Sequence, residues 1–345
     1  MSILSTQSLS HNDLYLLFIN CIKNAVNQPI KYSINRLRII AIFKNMSLIK
    51  STTIGKKLFL FVTAMDQNMI AKPNFELTED CCESLPKFEL ASGSCLQNIS
   101  ETPIYDHLSE LISDGKYSFL RKNTDDFYQV LNLLGSIQLP FVFLQELNVL
   151  KRFGYYYRHT LAVTSLVAKY GLDMGLAKKD LELYLQSAFI HDIGITRLPH
   201  SILFSSQQFK DDEEILMQQH PLISYILFGY YNQGKNQEIG NGILFHHCPG
   251  ELRNSSDCRN KEKANEIAWM LFNMDIFDAM ISSRPFRPAF SLENALDHLT
   301  KLNQIFSLPL DIVYWFEKKL KSSSLEKLES NLIPIKPTID ASQLN

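Results

Sequence analysis

The chain has 345 residues, 46% hydrophobic and 20% charged, with 34 Lys and Arg against 36 Asp and Glu. That balance excludes wholesale disorder. A formal net charge of −2 supplies no basic excess for nucleic acid or an anionic membrane surface, so neither is expected as a partner. No stretch of about 18 apolar residues is present, so no spanning helix is expected. The N-terminus, MSILSTQSLSHNDLYLLFIN, lacks the basic start and small-residue cleavage site of a secretory signal. Six cysteines, Cys21, Cys81, Cys82, Cys95, Cys248 and Cys258, show no CxxC pair. A reduced, cytoplasmic setting fits them, and the Cys81–Cys82 pair reads as buried or incidental more readily than as a metal or redox site.

The first 115 residues have mixed character. A helix is expected near 11–26, with Ser10 as cap and Leu14 to Ile19 as its buried face. Two β-rich runs follow, Arg38 to Phe43 and Lys57 to Thr63, and then a polar, breaker-rich stretch from Ala71 to Pro103. This predicts a small mixed α/β domain over 1–115 without a catalytic motif, in keeping with a sensory or regulatory role. A helical linker is expected over 116–145. Beyond it the pattern turns to long amphipathic helices with short breaks, which predicts a mostly α-helical domain over 146–321 and a tail over 322–345. The fold class expected is α+β overall: a helical C-terminal bundle with a smaller N-terminal domain.

Five of the nine histidines fall on predicted inner faces of these helices. A helix from about 156 to 170 places His159 with Ala162, Val163, Leu166 and Tyr170, and Gly171 is expected to cap it. Taken alone, His159 reads as a core histidine. The next helix carries Leu181, Tyr184, Leu185 and Ala188, and steps of three and four reach His191 and Asp192; Gly194 is expected to end it. A buried aspartate needs a cation or hydrogen bonds, unless it ends its helix in water. A helix starting at Asp211 or Asp212 carries Leu216, His220, Ile223 and Leu227, with Pro221 expected to kink or interrupt it. A further helix carries Ile239 and Ile243, then His246 and His247. Adjacent residues diverge by about 100° on a helix, so both reach one site only near a helix end, which Pro249 supplies. The last informative helix carries Ala264, Ala268, Leu271 and Phe272, and the same stripe reaches Asp275 and Asp278. Core packing explains any one of these residues. Their joint pattern points to a shared metal centre.

The segments YYYRHTLAV, AFIHDIGITRLPHSIL, MQQHPLISYIL, ILFHHC and NMDIFDAMISSRPFR resemble the HD superfamily of metal-dependent phosphohydrolases, and within it the HD-GYP cyclic di-GMP phosphodiesterases. The resemblance covers about residues 145–305. It implies a centre of two divalent metal ions, commonly iron or manganese. His159, His191, Asp192 and Asp275 would hold one, and Asp192 would bridge to a second held by His220, His246 and His247. Two such ions about 3.5–4 Å apart activate water for in-line attack on a phosphodiester, which makes Asp192 the catalytic residue of the set. Arg284 and Arg287 match the arginine-containing stretch after DxxDA and are candidate substrate-phosphate clamps, with surface ion pairing as the alternative. Asp278 reads as a structural hydrogen-bonding residue.

Three departures from the family pattern stand out. Ile195 occupies the position of the lysine that usually follows HDIG, with Arg197 two residues away as a candidate substitute. The acid after the HH pair is Cys248, and no Gly-Tyr-Pro follows. Tyr155 replaces the glutamate that in some members helps bind a third metal. The expectation is therefore a divergent phosphodiesterase with a binuclear centre, acting on cyclic di-GMP or a related cyclic dinucleotide. The alternative is a catalytically weak signalling or scaffold protein that binds a nucleotide or protein partner. A mononucleotide or linear dinucleotide is an open third choice of substrate, and a homodimer is compatible with either function.

Overall fold

The structure, a computed structural model, describes residues 57–76, 95–207, 209–249, 261–284 and 287–332. The helix expected near 11–26, the run Arg38 to Phe43 and much of the breaker-rich stretch lie outside the described residues. Part of the run Lys57 to Thr63 is a strand: β1 (Val62–Thr63) pairs antiparallel with β2 (Met69–Ala71). A second antiparallel pair joins β3 (Leu96–Asn98) to β4 (Gln138–Pro140), with Gln97 opposite Leu139. Between these two strands lie α1 (Pro103–Ser113), a 3-10 turn over Gly115–Leu120 and α2 (Thr124–Ser136). All other elements are helical: α3 (Phe141–Leu150), α4 (Gly154–Met174), α5 (Lys178–Ile190), a 3-10 turn over Ile193–Arg197, α6 (His200–Leu203), α7 (Asp211–Met217), α8 (His220–Tyr231), α9 (Gln237–Leu244), α10 (Lys261–Ile281), α11 (Leu292–Ile305) and α12 (Asp311–Leu332). The fold is mostly helical α+β, as the patterning predicts. Among the described residues no helix is long and apolar enough to cross a membrane.

Helix α4 is the axis of the bundle. Every residue from His159 to Gly171 is buried, as expected of a helix surrounded by others. Its Lys169 is carried into the core by two carboxylates, Asp126 Oδ1 at 2.6 Å and Asp173 Oδ1 at 2.9 Å. The cap expected at Gly171 is four residues too early: the helix runs to Met174 and stops at Gly175, whose φ of 63° is left-handed. Gly171 serves packing instead. A Cβ there would collide with the Leu181 side chain, so the missing methyl lets α5 approach α4. Pro221 interrupts the chain as predicted, separating α7 from α8 and sitting in the first turn of α8, where its missing N–H costs no helical bond.

One cluster of buried apolar side chains extends from Leu58 in the β1–β2 region to Phe316 in α12. A polar clamp reinforces it. Glu146, fully buried in α3, accepts from Arg197 Nη2 at 2.5 Å and Nη1 at 2.6 Å, and from the Tyr231 hydroxyl at 2.5 Å. Arg197 Nε donates to the Thr63 carbonyl at 2.9 Å, and Met65 N donates to Tyr231 Oη at 2.8 Å. The hairpin is thereby tied to α3, α8 and the turn after α5. Removing one partner of a buried, fully bonded ion pair strands the other, which typically costs about 3–5 kcal/mol. Glu146→Ala is therefore expected to lower unfolding free energy in urea by about that amount; a loss below about 1 kcal/mol would show that the clamp is not what holds the hairpin.

Candidate metal centre

The centre forms where helices end. His191 follows the last residue of α5, His220 opens α8 directly after α7, and His246 and His247 follow α9. Three of these imidazoles share one local device. His191 Nδ1 lies 2.8 Å from the Ala188 carbonyl, His220 Nδ1 2.6 Å from that of Met217, and His246 Nδ1 2.6 Å from that of Ile243. A carbonyl oxygen only accepts, so each Nδ1 carries a proton and each ring turns its Nε2 inward. The Nε2 atoms of His191 and His246 are buried and without a hydrogen-bond partner; the nearest carboxylate oxygen to His191 Nε2, Asp192 Oδ2, stands at 3.4 Å.

Carboxylates bind the ends together. Asp192 Oδ1 is 3.2 Å from His220 Nε2, so this carboxylate stands between His191 and His220. Asp275, on α10, has Oδ1 2.6 Å from His159 Nε2 and Oδ2 3.6 Å from His247 Nδ1. His247 Nε2 approaches His220 Nε2 to 3.1 Å, a separation at which two lone pairs repel unless a proton or a cation lies between them. Ligand atoms of His220, His246 and His247 lie within 4.8 Å of one another, and so do those of His159, His191 and Asp192. All seven residues expected at a metal centre are thus drawn into one cluster, buried except for the partly exposed His247.

The electrostatics divide the cluster. Burial, with the neighbouring histidines, holds His246 well below the usual imidazole range and brings His247 down to about 4. On the other side burial opposes charge on His159, but Asp275 and Asp278 outweigh it and raise its pKa well above the usual value. Burial likewise opposes ionisation of Asp192, yet His191 and His220 hold its carboxyl well below the normal range. Inward imidazole nitrogens beside ionised carboxylates are the donor set of a divalent cation. The unpartnered Nε2 atoms fit one as well: a buried acceptor without a donor is costly unless something fills its place.

The HD domain family matches residues 156–280. The chain thus carries an HD domain and is similar to HD-GYP proteins of the HD superfamily. Similar proteins include the cyclic di-GMP phosphodiesterase response regulator RpfG of Xanthomonas campestris pv. campestris, 30% identical over 138 residues, which is 40% of this chain and 35% of that protein. A cyclic di-GMP phosphodiesterase of Thermotoga maritima is 26% identical over 193 residues, covering 54% of this chain and 50% of the relative. One of Vibrio cholerae serotype O1 is 28% identical over 120 residues, 33% and 24% of the two chains. The matched stretch spans from about a quarter to half of the length of these relatives. HD domains are metal-dependent, and the His and Asp clusters of this HD domain are where metal would sit.

Around the HD domain's centre, two arginines have parted. Arg284 lies over the Tyr155 ring, 5.4 Å from its centroid, and that ring stacks on His159 at 6.0 Å and 7°. Its Nε is buried without a hydrogen-bond partner. Arg287 instead donates to the carbonyls of Ala279 at 2.5 Å and Pro288 at 3.0 Å, closing the end of α10. Arg197, the candidate substitute for the missing lysine, is committed to Glu146 and Thr63. Ile195 is 2% exposed. Asp278 accepts from His159 Nδ1 at 2.6 Å, in the structural part expected of it. Sequence reading missed Lys116 and Tyr117, which also reach Asp278; their segment carries no periodicity that would place them there.

Gly194 sets the spacing of the centre. Its N–H donates to Ser224 Oγ at 2.8 Å, and a Cβ on it would collide with the His220 carbonyl oxygen and lie 2.6 Å from Ser224 N. It does not end α5; it lets the turn after α5 touch α8. Backbone atoms cannot step aside, and overpacking of this kind costs about 1–3 kcal/mol. Gly194→Ala is expected to separate Asp192 from His220 and to lower bound metal per chain, measured by elemental analysis, whereas Gly171→Ala meets only the flexible Leu181 side chain and should retain it.

Proposed function

We propose that this chain is a metal-dependent phosphodiesterase acting on cyclic di-GMP or a related cyclic dinucleotide. The observation that carries the reading is the convergence of imidazole and carboxylate donors, two of them buried and unpartnered, in one HD domain. The names of the three relatives supply the substrate class. Under this reading His159, His191, Asp192 and Asp275 hold one cation. Asp192 also reaches a second, held by His220, His246 and His247. The nitrogen and oxygen donor set suits iron, manganese or zinc and disfavours calcium, and iron or manganese is proposed. Bound divalent cations supply Lewis-acid polarisation of the phosphoryl group and an acidified water.

The chain's own residues do the rest. The carbonyls of Ala188, Met217 and Ile243 hold three rings in the inward-facing tautomer. Asp192 ties the two halves together. Arg284, over the Tyr155 ring, is the guanidinium proposed to donate to a non-bridging phosphate oxygen. Arg287 serves the turn after α10 and is not proposed as a substrate ligand. Residues 1–115 are proposed as an input region and 146–321 as the catalytic unit.

Purified full-length chain is expected to contain about two divalent ions per HD centre and to hydrolyse cyclic di-GMP, and chelation should abolish turnover. Replacing His191 and Asp192 together by Ala should remove both metal and activity. Loss of a charge-assisted hydrogen bond is worth about 1.5–3 kcal/mol, so Arg284→Ala should lower kcat/KM about 10- to 100-fold while metal content holds. Metal-loaded protein that neither binds nor cleaves any cyclic dinucleotide would sink the reading.

A second reading has one specific observation behind it. The post-HDIG position is a buried alkyl group, Ile195, and the nearest cation in the chain, Arg197, is spent on Glu146. This favours a protein that binds the dinucleotide and turns it over poorly. Calorimetric binding of cyclic di-GMP with no product after prolonged incubation separates it from the first.

A further inference from the structure

Asp278 is a carboxylate with every side taken. It is 1% exposed. Its Oδ2 accepts from His159 Nδ1 at 2.6 Å, and its Oδ1 accepts from the Tyr117 hydroxyl at 2.5 Å. Lys116 Nζ stands 3.5 Å from the same Oδ1 and is also bonded to Tyr117 Oη and Ser282 Oγ. The Ser282 hydroxyl lies 3.2 Å from both carboxylate oxygens. The Tyr117 ring is fully buried and packs against Phe119, which meets Phe277 edge-on beside Asp278. Asp114 fixes the start of this turn by accepting from Lys116 N at 2.9 Å. Tyr117 and Lys116 therefore come from a segment that precedes the matched HD domain, residues 156–280, and act on a residue inside it.

We propose that the 3-10 turn Gly115–Leu120 is a positioning element of the metal centre: Tyr117 and Lys116 hold Asp278, and Asp278 holds His159 so that its Nε2 faces the centre. The inference rests on the metal-centre reading above. The physical reason is rotational. An imidazole hydrogen-bonded at Nδ1 to a mobile carboxylate can swing its Nε2, whereas a carboxylate bonded on both oxygens cannot turn without breaking a buried bond. Outer partners of metal-binding histidines are commonly worth about 10–100-fold in metal affinity. The half-centre served is the one formed by His159, His191 and Asp192; in the three-imidazole group, His220 and His246 are oriented by backbone carbonyls and His247 faces Asp275 and His220, so none of the three is bonded to Asp278. The segment that precedes the HD domain thereby gains a direct grip on one half of the centre.

The test uses the full-length chain titrated with manganese or cobalt(II) after chelator treatment, with the visible spectrum of the cobalt form as a second readout. Tyr117→Phe keeps the ring and deletes one hydroxyl. It should weaken the cation of the His159 half-centre about 10-fold and shift the cobalt spectrum, with the melting temperature of the metal-free chain nearly unchanged. Lys116→Met should act in the same direction. In a His159→Ala background, Tyr117→Phe should add no further loss, because the ring it positions is gone. Wild-type affinity in Tyr117→Phe, or an equal loss in both backgrounds, overturns the proposal and leaves the metal centre standing. A wild-type chain that binds no cation overturns the metal-centre reading itself, and the positioning role with it.

Discussion

Three histidines donate their Nδ1 protons to the carbonyls of Ala188, Met217 and Ile243, and the architecture of the centre depends on that exchange. Those carbonyls belong to the last turns of α5, α7 and α9, where a helix leaves its carbonyl oxygens without intrahelical partners. Each ring satisfies a helix end and in doing so fixes its own tautomer. The cost of the helix terminus and the orientation of the metal donor are settled by the same hydrogen bond. It also explains why the histidines sit at element ends and not in mid-helix: only there is a carbonyl three residues back free to accept.

Bringing several helix ends to one point requires backbones to touch. Gly194 lets the turn after α5 lie against the His220 carbonyl and Ser224, and Gly171 lets α5 close on α4, which carries His159. A methyl on Gly194 would act on the separation of donors that lie within 4.8 Å, whereas one on Gly171 meets only the flexible Leu181 side chain. The Glu146–Arg197–Tyr231 clamp then fixes the same turn from its far side. The centre is thus held on one face by steric contact and on the other by a buried ion pair. Such over-determination is what a cluster of desolvated polar groups needs in order to persist.

Much of this was legible in the sequence because the signal was periodic. His159, Asp192, His220 and Asp275 fall in step with apolar stripes, and a titratable residue on a buried face announces itself. The HH pair was legible because Pro249 marks a helix end. What stayed hidden were choices between chemically equal residues. Gly171 and Gly175 both look like caps, and only the packing of Leu181 tells them apart. Arg284 and Arg287 share one short motif, but Arg287 turns back onto the α10 carbonyls. Arg197 reads as a cation near the site until its partner Glu146, distant in sequence, is seen. Lys116 and Tyr117 lie in a short 3-10 turn with no repeat to betray a face. Long-range polar pairing has no period, so it leaves no trace in a single sequence.

The balance of charge within the centre follows from these pairings. Asp192, Asp275 and Asp278 are all buried and all held ionised by their surroundings. Asp278 is answered by Lys116 and His159, which leaves Asp192 and Asp275 facing the donors of the cluster. Burial keeps His246 and His247 neutral, so they cannot answer those two carboxylates, and Ile195 adds nothing. Among the positions considered for substrate contact, Arg284 alone retains a guanidinium Nε without a partner. Under the proposed function, Arg284 is then the cation the protein itself would offer a phosphate beside this cluster.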